Sequence, residues 1–361
     1  MPIETFKCPN CGGDLVFDPK TQLNVCHHCH SQFTKAEMSR LQGEGLLEPN
    51  PAAGQPEPAQ TQSQSGPDAA LYECPGCGAE IMTDATTAAT HCFYCHTPVI
   101  LKDRFAGPYL PDQVIPFTVE KQTASDGLLN WIKKKKFVPK DFACESQLEK
   151  TTGVYFPVWY VDADIDASLS ARGTQVRRWS DSRFDYTETS YFDIGRTGSI
   201  AIQNIPKKAL NKEESKLYET VLPFDETQMK PFTTTYLSGF QAERRNIETD
   251  SLRAEVEKEN DRQTKKLLQG TVSGYSTVTG TKIHVQKHAL KWKYTMLPVW
   301  AMTYHSGGKT YFYAMNGQTG KVNGRLPVDQ KKLALTSLFL GLAVFILCFL
   351  IFMIFMNGGN A

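Results

Sequence analysis

Residues 333–356, LALTSLFLGLAVFILCFLIFMIFM, form an uncharged run of 24 that restricts this chain more than any other stretch. As a helix rising about 1.5 Å per residue the run measures about 36 Å, enough to cross a hydrocarbon core of about 30 Å with some tilt. A membrane span is therefore expected. A core helix of a soluble domain is the competing reading, but such helices are shorter and keep a polar face. Lys321, Arg325, Lys331 and Lys332 precede the run and no Lys or Arg follows it, the asymmetry that holds the N-terminal flank in the cytoplasm. The opening MPIETFKCPNC has neither the basic nor the apolar region of a secretory signal. The expected topology is a single-pass, tail-anchored protein of the cell membrane, cytoplasmic before the run, with 357–361 on the far side.

Eight of the ten cysteines fall into two identical sets at the other end. Cys8, Cys11, Cys26 and Cys29 repeat after 66 residues as Cys74, Cys77, Cys92 and Cys95, each set reading C-x2-C-x14-C-x2-C. CPNCGGDL aligns with CPGCGAEI and CHHCH with CFYCH, so one module is present twice. A module this small buries too little apolar surface to fold unaided. Four thiolates around Zn²⁺, with Zn–S near 2.3 Å, supply the missing cohesion. Redox chemistry would call for one C-x-x-C pair at a helix start. His27, His28, His30, His91 and His96 flank the ligands, and any of them could replace a Cys as ligand, but with four Cys in each set they are read as exposed or supporting groups. A closed four-cysteine site has no open position, so two structural zinc ions without catalysis are expected.

These features divide the chain into zinc ribbon 1 (1–47), a Pro- and Gln-rich disordered linker (48–68), zinc ribbon 2 (69–104), a cytosolic α+β domain (105–326) and the transmembrane helix (333–356). The linker would let the ribbons act as separate heads. Within 105–326 the spacing of Leu128, Leu129, Trp131 and Ile132 predicts a helix over 121–135, ended by Pro139. Ile165, Ala167, Leu169 and Ala171 alternate with Asp164, Asp166, Ser168 and Ser170, a half-buried strand. Further strands are predicted over 177–194, 280–287 and 290–304, with hairpin turns at Gly307-Gly308 and Asn316-Gly317. FPVW (156–159) recurs as LPVW (297–300). Residues 241–266 hold 14 charges and a thin stripe of Ile247, Leu252 and Val256, read as a solvated helix docked along one edge or offered to a partner. The fold class expected is α+β: two small four-cysteine zinc ribbons, a mixed antiparallel-sheet-plus-helix domain and one C-terminal transmembrane helix.

No enzyme motif completes. Gly307-Gly308-Lys309-Thr310 lacks the first glycine of a phosphate loop, which would fall at Thr303. Asp162, Asp164 and Asp166 resemble the start of a calcium loop, but Ala167 stands where glycine is needed and no glutamate closes the loop, so a solvated strand face is the expectation and a bound cation the alternative. Neither H-E-x-x-H, nor G-x-S-x-G, nor a dinucleotide fingerprint occurs, and Cys144 and Cys348 sit in no motif. Lys133, Lys134, Lys135, Lys136 and Lys140 form a patch suited to anionic lipid or to a solvated helix end. With 39 basic against 38 acidic residues, net charge points to no polyanionic partner. Four thiolates on a divalent ion leave both ribbons net negative, which argues against nucleic acid. Phe93 and Tyr94 at the second knuckle would instead serve a protein partner.

The order of paired CPxCG ribbons, the F/LPVW pair, PFTTTYLSGFQAE, NGQTGKVNGRLP and a membrane helix resembles bacterial, mostly Firmicutes, membrane-anchored proteins with transcription-factor-IIB-type zinc ribbons. That resemblance implies partners of the SPFH (flotillin-like) or PspA type from envelope stress, and it brings no catalytic residues. The function expected is a non-enzymatic, membrane-tethered adaptor that recruits a protein partner to the bilayer, with no small-molecule substrate. A membrane-held nucleic-acid binder and an enzyme with an unrecognised site in the α+β domain are the alternatives.

Overall fold

The structure, a computed structural model, describes residues 3–43, 70–139, 151–212, 215–306 and 309–358. The expected linker lies outside them, as do Lys140, Cys144, Gly307 and Gly308. The class is the mixed α+β one the sequence implies, with a C-terminal apolar helix.

Three long antiparallel strands organise the chain. Thr152–Ser180 is the middle one, flanked by Asp185–Lys208 and Thr277–Ser306. From Gly153 to Val161 the middle strand is buried on both faces. Beyond that point Ala163, Ile165, Ala167, Leu169 and Ala171 remain buried while the intervening residues turn outward, the alternation legible in the sequence. At about 3.3 Å per residue this strand runs about 95 Å, so its far half projects as a blade. The repeated FPVW and LPVW lie on adjacent strands, with Phe156 opposite Leu297 and Tyr155 opposite Pro298. Tyr155 enters the core on one face of the sheet with Phe117, Phe240 and Trp300, and Phe156 the core on the other with Leu217, Tyr218 and Phe224.

Several expected elements are redrawn. The strand predicted over 177–194 is a hairpin tip, because the Asp181 carboxylate accepts hydrogen bonds from the backbone N–H groups of Arg183 (2.7 Å) and Phe184 (2.8 Å) and folds the chain back. The strands predicted over 280–287 and 290–304 are one. The charged helix begins at Thr249 and runs to Gly270, burying Val256, Asn260, Thr264 and Leu268 at four-residue spacing against the blade. Its apolar stripe is thus spent inside the molecule: Val256 is fully buried and Leu252 packs on the main core. Asp162 and Asp164 pair with Lys293 (2.5 Å) and Lys291 (3.4 Å) on the neighbouring strand, and Asp166 accepts from Ser199 (2.7 Å), so cations already in the chain answer the first two.

The ribbons are not separate heads. Ile3–Glu4 of the first pairs with Pro98–Leu101 of the second. The segment 235–245 then ties both to the sheet. Phe17 N donates to Ser238 O at 3.0 Å, the Ser238 hydroxyl donates to Leu15 O, and Phe17 packs edge-on against Tyr236 at 5.2 Å. Phe240 stacks on Phe117 with centroids 4.3 Å apart and 9° between planes. Between them Gly239 takes φ +85°, with Val16 pressed so close that any Cβ would collide with it. Gln241–Glu243 adds itself parallel to Thr152–Ser180 and antiparallel to Thr87–His91 of ribbon 2. That capture by two strands is why helix does not start at Gln241. Arg244 N donates to Thr86 O (2.7 Å), and the buried Arg245 guanidinium lies over the rings of Tyr109, Trp159 and Tyr294.

An ion triad closes the junction. Lys212 Nζ lies 2.7 Å from Asp84 of ribbon 2 and 2.8 Å from Glu243. Burial opposes ionisation of Asp84, but the Lys212 ammonium and the Thr87 hydrogen bonds outweigh it and hold its carboxyl below the usual range. A depressed carboxyl contributes stability that is complete above its unfolded value, near pH 4, and is lost as pH falls below it. Lys212→Met, which keeps the apolar stem but strands the mostly buried Glu243, should cost about 2 kcal/mol at neutral pH. Thermal unfolding should show that loss shrinking as pH falls from about 4 toward the depressed value of Asp84, because protonation there weakens a Lys212 pair that only the unaltered chain has.

Candidate metal centres and exposed surfaces

Each half of each ribbon is the same backbone knuckle. Cys8 N donates to Gly13 O (2.7 Å) and Gly12 N to Cys8 O (2.8 Å). The pattern repeats as Cys26–Ser31 with His30, Cys74–Ala79 with Gly78, and Cys92–Thr97 with His96, at 2.8 to 3.0 Å. The residue after the second cysteine must adopt a left-handed backbone to close this turn. Gly12 (φ +73°) and Gly78 (φ +72°) do so freely, and His30 (φ +60°) and His96 (φ +58°) occupy the equivalent places. These two histidines are turn residues at the knuckles, outside both sulfur clusters.

The two sets of four thiols each converge. Cys8 and Cys29 sulfurs are 3.5 Å apart and Cys11 and Cys26 3.4 Å; in ribbon 2 the pairs Cys74–Cys95 and Cys77–Cys92 stand at 3.5 and 3.7 Å. A disulfide would need about 2.05 Å, and all eight are free. Four sulfurs at about 2.3 Å from a central ion have edges near 3.8 Å, so each cluster matches the tetrahedral cage of a divalent metal. Cys8, Cys26, Cys74 and Cys92 are buried, placing one ligand of every knuckle in a core. Two of the four exposed ligands are lowered: the Ser31 hydroxyl (3.2 Å) and backbone N–H bring the Cys29 thiol to about 6, and Thr97 (3.3 Å) does the same to Cys95, whereas at Cys11 and Cys77 the backbone N–H of Gly13 and of Ala79 is outweighed by hydrogen bonds with neighbouring sulfurs and both thiols are raised. Cys29 and Cys95 are thereby biased toward the thiolate, the form that binds metal.

Three further surfaces stand near these centres or beyond them. Phe93 is 90% exposed and Tyr94 74% at the tip of the fourth knuckle of the series, Cys92–Thr97. At the blade tip Trp179 and Tyr186, directly opposite across the hairpin, stack with centroids 5.4 Å apart, and Phe184 stands exposed beside them. The sequence signal for that tip was the aromatic spacing about an Asx turn, which a strand reading of 177–194 conceals. A cleft of about 770 Å³ separates ribbon 1 from the sheet, lined in part by Asp18, His27, His91, Glu120 and Lys121. Helix Lys35–Gly43 behind ribbon 1 also escaped the sequence reading, although Thr34 and Glu37 form a reciprocal capping box that announces it.

The apolar helix runs Gln330–Gly358, and its stretch Gln330–Ile351 is long and apolar enough to cross a membrane. None of that stretch is buried against protein, which removes the core-helix alternative for it. Asp329 starts it, accepting from Lys331 N and Lys332 N, both at 3.1 Å.

Compared with known proteins, the chain is 32% identical over 332 residues, 92% of its own length and 92% of the relative's, to the uncharacterized protein YdjG of Bacillus subtilis (strain 168). No family model matches the chain, and no solved structure does.

Because Leu15, Phe17 and Cys26 share the main core with Phe117 and Phe240, loss of the first metal should be felt beyond its ribbon. Elemental analysis of the full chain should give two metal atoms, falling to one in Cys26→Ser, and that variant should melt at a lower temperature as a whole rather than by unfolding 3–43 alone. Metal content should also fall as pH is lowered, because protons compete with the ion for the thiolates of each cage.

Proposed function

The chain belongs to the family of the Bacillus subtilis protein YdjG, and from its own residues we propose that it is a non-enzymatic adaptor. Two structural zinc ions build a cytosolic docking body, and the apolar helix tethers that body to the membrane. Zinc is the metal that suits a closed cage of four thiolates. The lysines before the helix support an orientation with the body in the cytoplasm. Partners of the SPFH or PspA type, which the family resemblance suggests, are the first to test.

The observation that carries this reading is the pair Phe93 and Tyr94. A phenylalanine 90% exposed on a knuckle held by metal is an aromatic anchor without a use inside the molecule. Its ribbon is tied to the sheet, so little ordering entropy is lost on docking. Both ribbons carry net negative charge once the thiolates hold a divalent ion, which supports a protein rather than a nucleic acid as the ligand.

An enzyme is the second reading, and the cleft beside ribbon 1 is what favours it, because Asp18, His27, His91, Glu120 and Lys121 gather there. Phe93 and Tyr94 lie outside that lining. A function lost in His27→Ala but kept in the Phe93→Ala/Tyr94→Ala double variant would favour the enzyme.

For the adaptor, three outcomes are expected. Protease added to right-side-out cells should leave an N-terminal tag intact. Deleting residues 333–361 should release both this chain and its partner into the cytosol while their mutual binding persists. Phe93→Ala/Tyr94→Ala should leave the chain in the membrane and weaken partner capture about tenfold or more, read by crosslinking and co-purification. A partner that stays at the membrane after the tail is deleted would contradict recruitment by this chain.

A further inference from the structure

The basic cluster at residues 133–136 and the start of the apolar helix are far apart in sequence and adjacent in space. Helix Lys121–Lys133 ends in the turn that holds Lys134, Lys135, Lys136 and Phe137. Asp329 N donates to Phe137 O at 2.7 Å and Lys332 Nζ to Val138 O at 3.0 Å. Asp329 in turn caps the first turn of the apolar helix. The helix therefore leaves the body at a fixed point, and the lysine turn is fastened beside it.

Between the two lies a cleft of about 510 Å³. Trp131, Val138, Leu326 and Val328 give it an apolar floor, and Lys134, Lys135 and Lys136 form its rim. All three lysines are exposed, and none pairs with a carboxylate among the described residues. Lys135 Nζ rests 5.6 Å from the centre of the Trp131 ring, so the floor and the rim touch. An apolar wall under a row of ammonium groups is complementary to an amphiphile with an anionic head.

We propose that this cleft binds the phosphate headgroup of an anionic phospholipid, a proposal that rests on reading Gln330–Ile351 as a membrane span. The lysines take the phosphate, and the glycerol and first acyl carbons lie along Trp131, Leu326 and Val328. At the interface each lysine favours an anionic leaflet by a factor of about five, and tryptophan favours the same depth. Free inorganic phosphate could use the rim but would gain nothing from the floor.

The test uses the full chain in detergent micelles doped with phosphatidylglycerol or phosphatidylcholine, with retained lipid counted by native mass spectrometry. Phosphatidylglycerol should be retained in preference by about tenfold or more, and Lys134→Gln/Lys135→Gln/Lys136→Gln should abolish the preference. Lys258→Gln/Lys265→Gln/Lys266→Gln removes the same charge from the exposed side of helix Thr249–Gly270 and should preserve it. Equal retention of the two lipids by the unaltered chain would overturn the proposal, as would equal losses in both triple variants. Displacement by millimolar inorganic phosphate as effective as by phosphatidylglycerol would also overturn it, since the site would then be one for free phosphate. Carbonate extraction of membranes tests the span separately. Extraction of the chain would refute the span whatever the lipid counts, and retention together with no lipid preference would refute the cleft alone.

Discussion

Residues 235–245 are gripped from three sides, and the remaining architecture follows from that grip. Ser238 exchanges hydrogen bonds with ribbon 1, Phe240 stacks in the core beneath the long strands, and Ala242 is paired both to Tyr155 of the sheet and to Ala89 of ribbon 2. A glycine is required at 239 because a left-handed turn and the Val16 side chain leave no room for a Cβ. Two metal-site modules that could not fold as free peptides thereby gain a shared apolar core. PFTTTYLSGFQAE, one of the stretches that carries the family resemblance, is this junction. NGQTGKVNGRLP plays a matching part at the other end. The buried Asn316 donates to Val221 O and Pro223 O and accepts from Gln318 N and Thr319 N, closing the turn whose strand leads to the apolar helix.

Metal and sheet are consequently coupled. Cys26 lies in the same core as Phe117 and Phe240, and Cys92 follows directly on the strand that meets Gln241–Glu243. The free energy of binding a divalent ion to four thiolates is folding free energy for whatever the knuckles hold together. Here that includes the edge of the main sheet. The blade is a different case, since its packing comes from Ala167, Leu169, Ala171 and Ile194 against Leu268, away from either cluster.

The elements that read directly from sequence are those whose signal is local and repeated. Eight cysteines at duplicated spacing, the alternation through Ile165, Leu169 and Ala171, and an uncharged run of 24 residues each survive intact in the structure. What did not read was set by long-range pairing. Three residues, Gln241–Glu243, are too few to show a period of two, and the charges after them extend a helical pattern backward over a strand that two distant partners impose. Docking of the ribbons depends on Phe17 meeting Tyr236, more than two hundred residues away, which no spacing rule encodes. His30 and His96 were legible only by aligning all four knuckles, where they fall on Gly12 and Gly78 and so declare a backbone role.

The central claim is that two metal sites, the sheet and the start of the apolar helix form one mechanical unit with residues 235–245 as its joint. Hydrogen exchange of the full chain, metal-loaded and then stripped by chelator, tests it most directly. The account predicts that stripping accelerates exchange in both ribbons and also at Phe240, Ala242 and Arg244, while Ala167 and Leu169 on the blade stay protected. Faster exchange confined to the knuckles, with 235–245 unchanged, would contradict it.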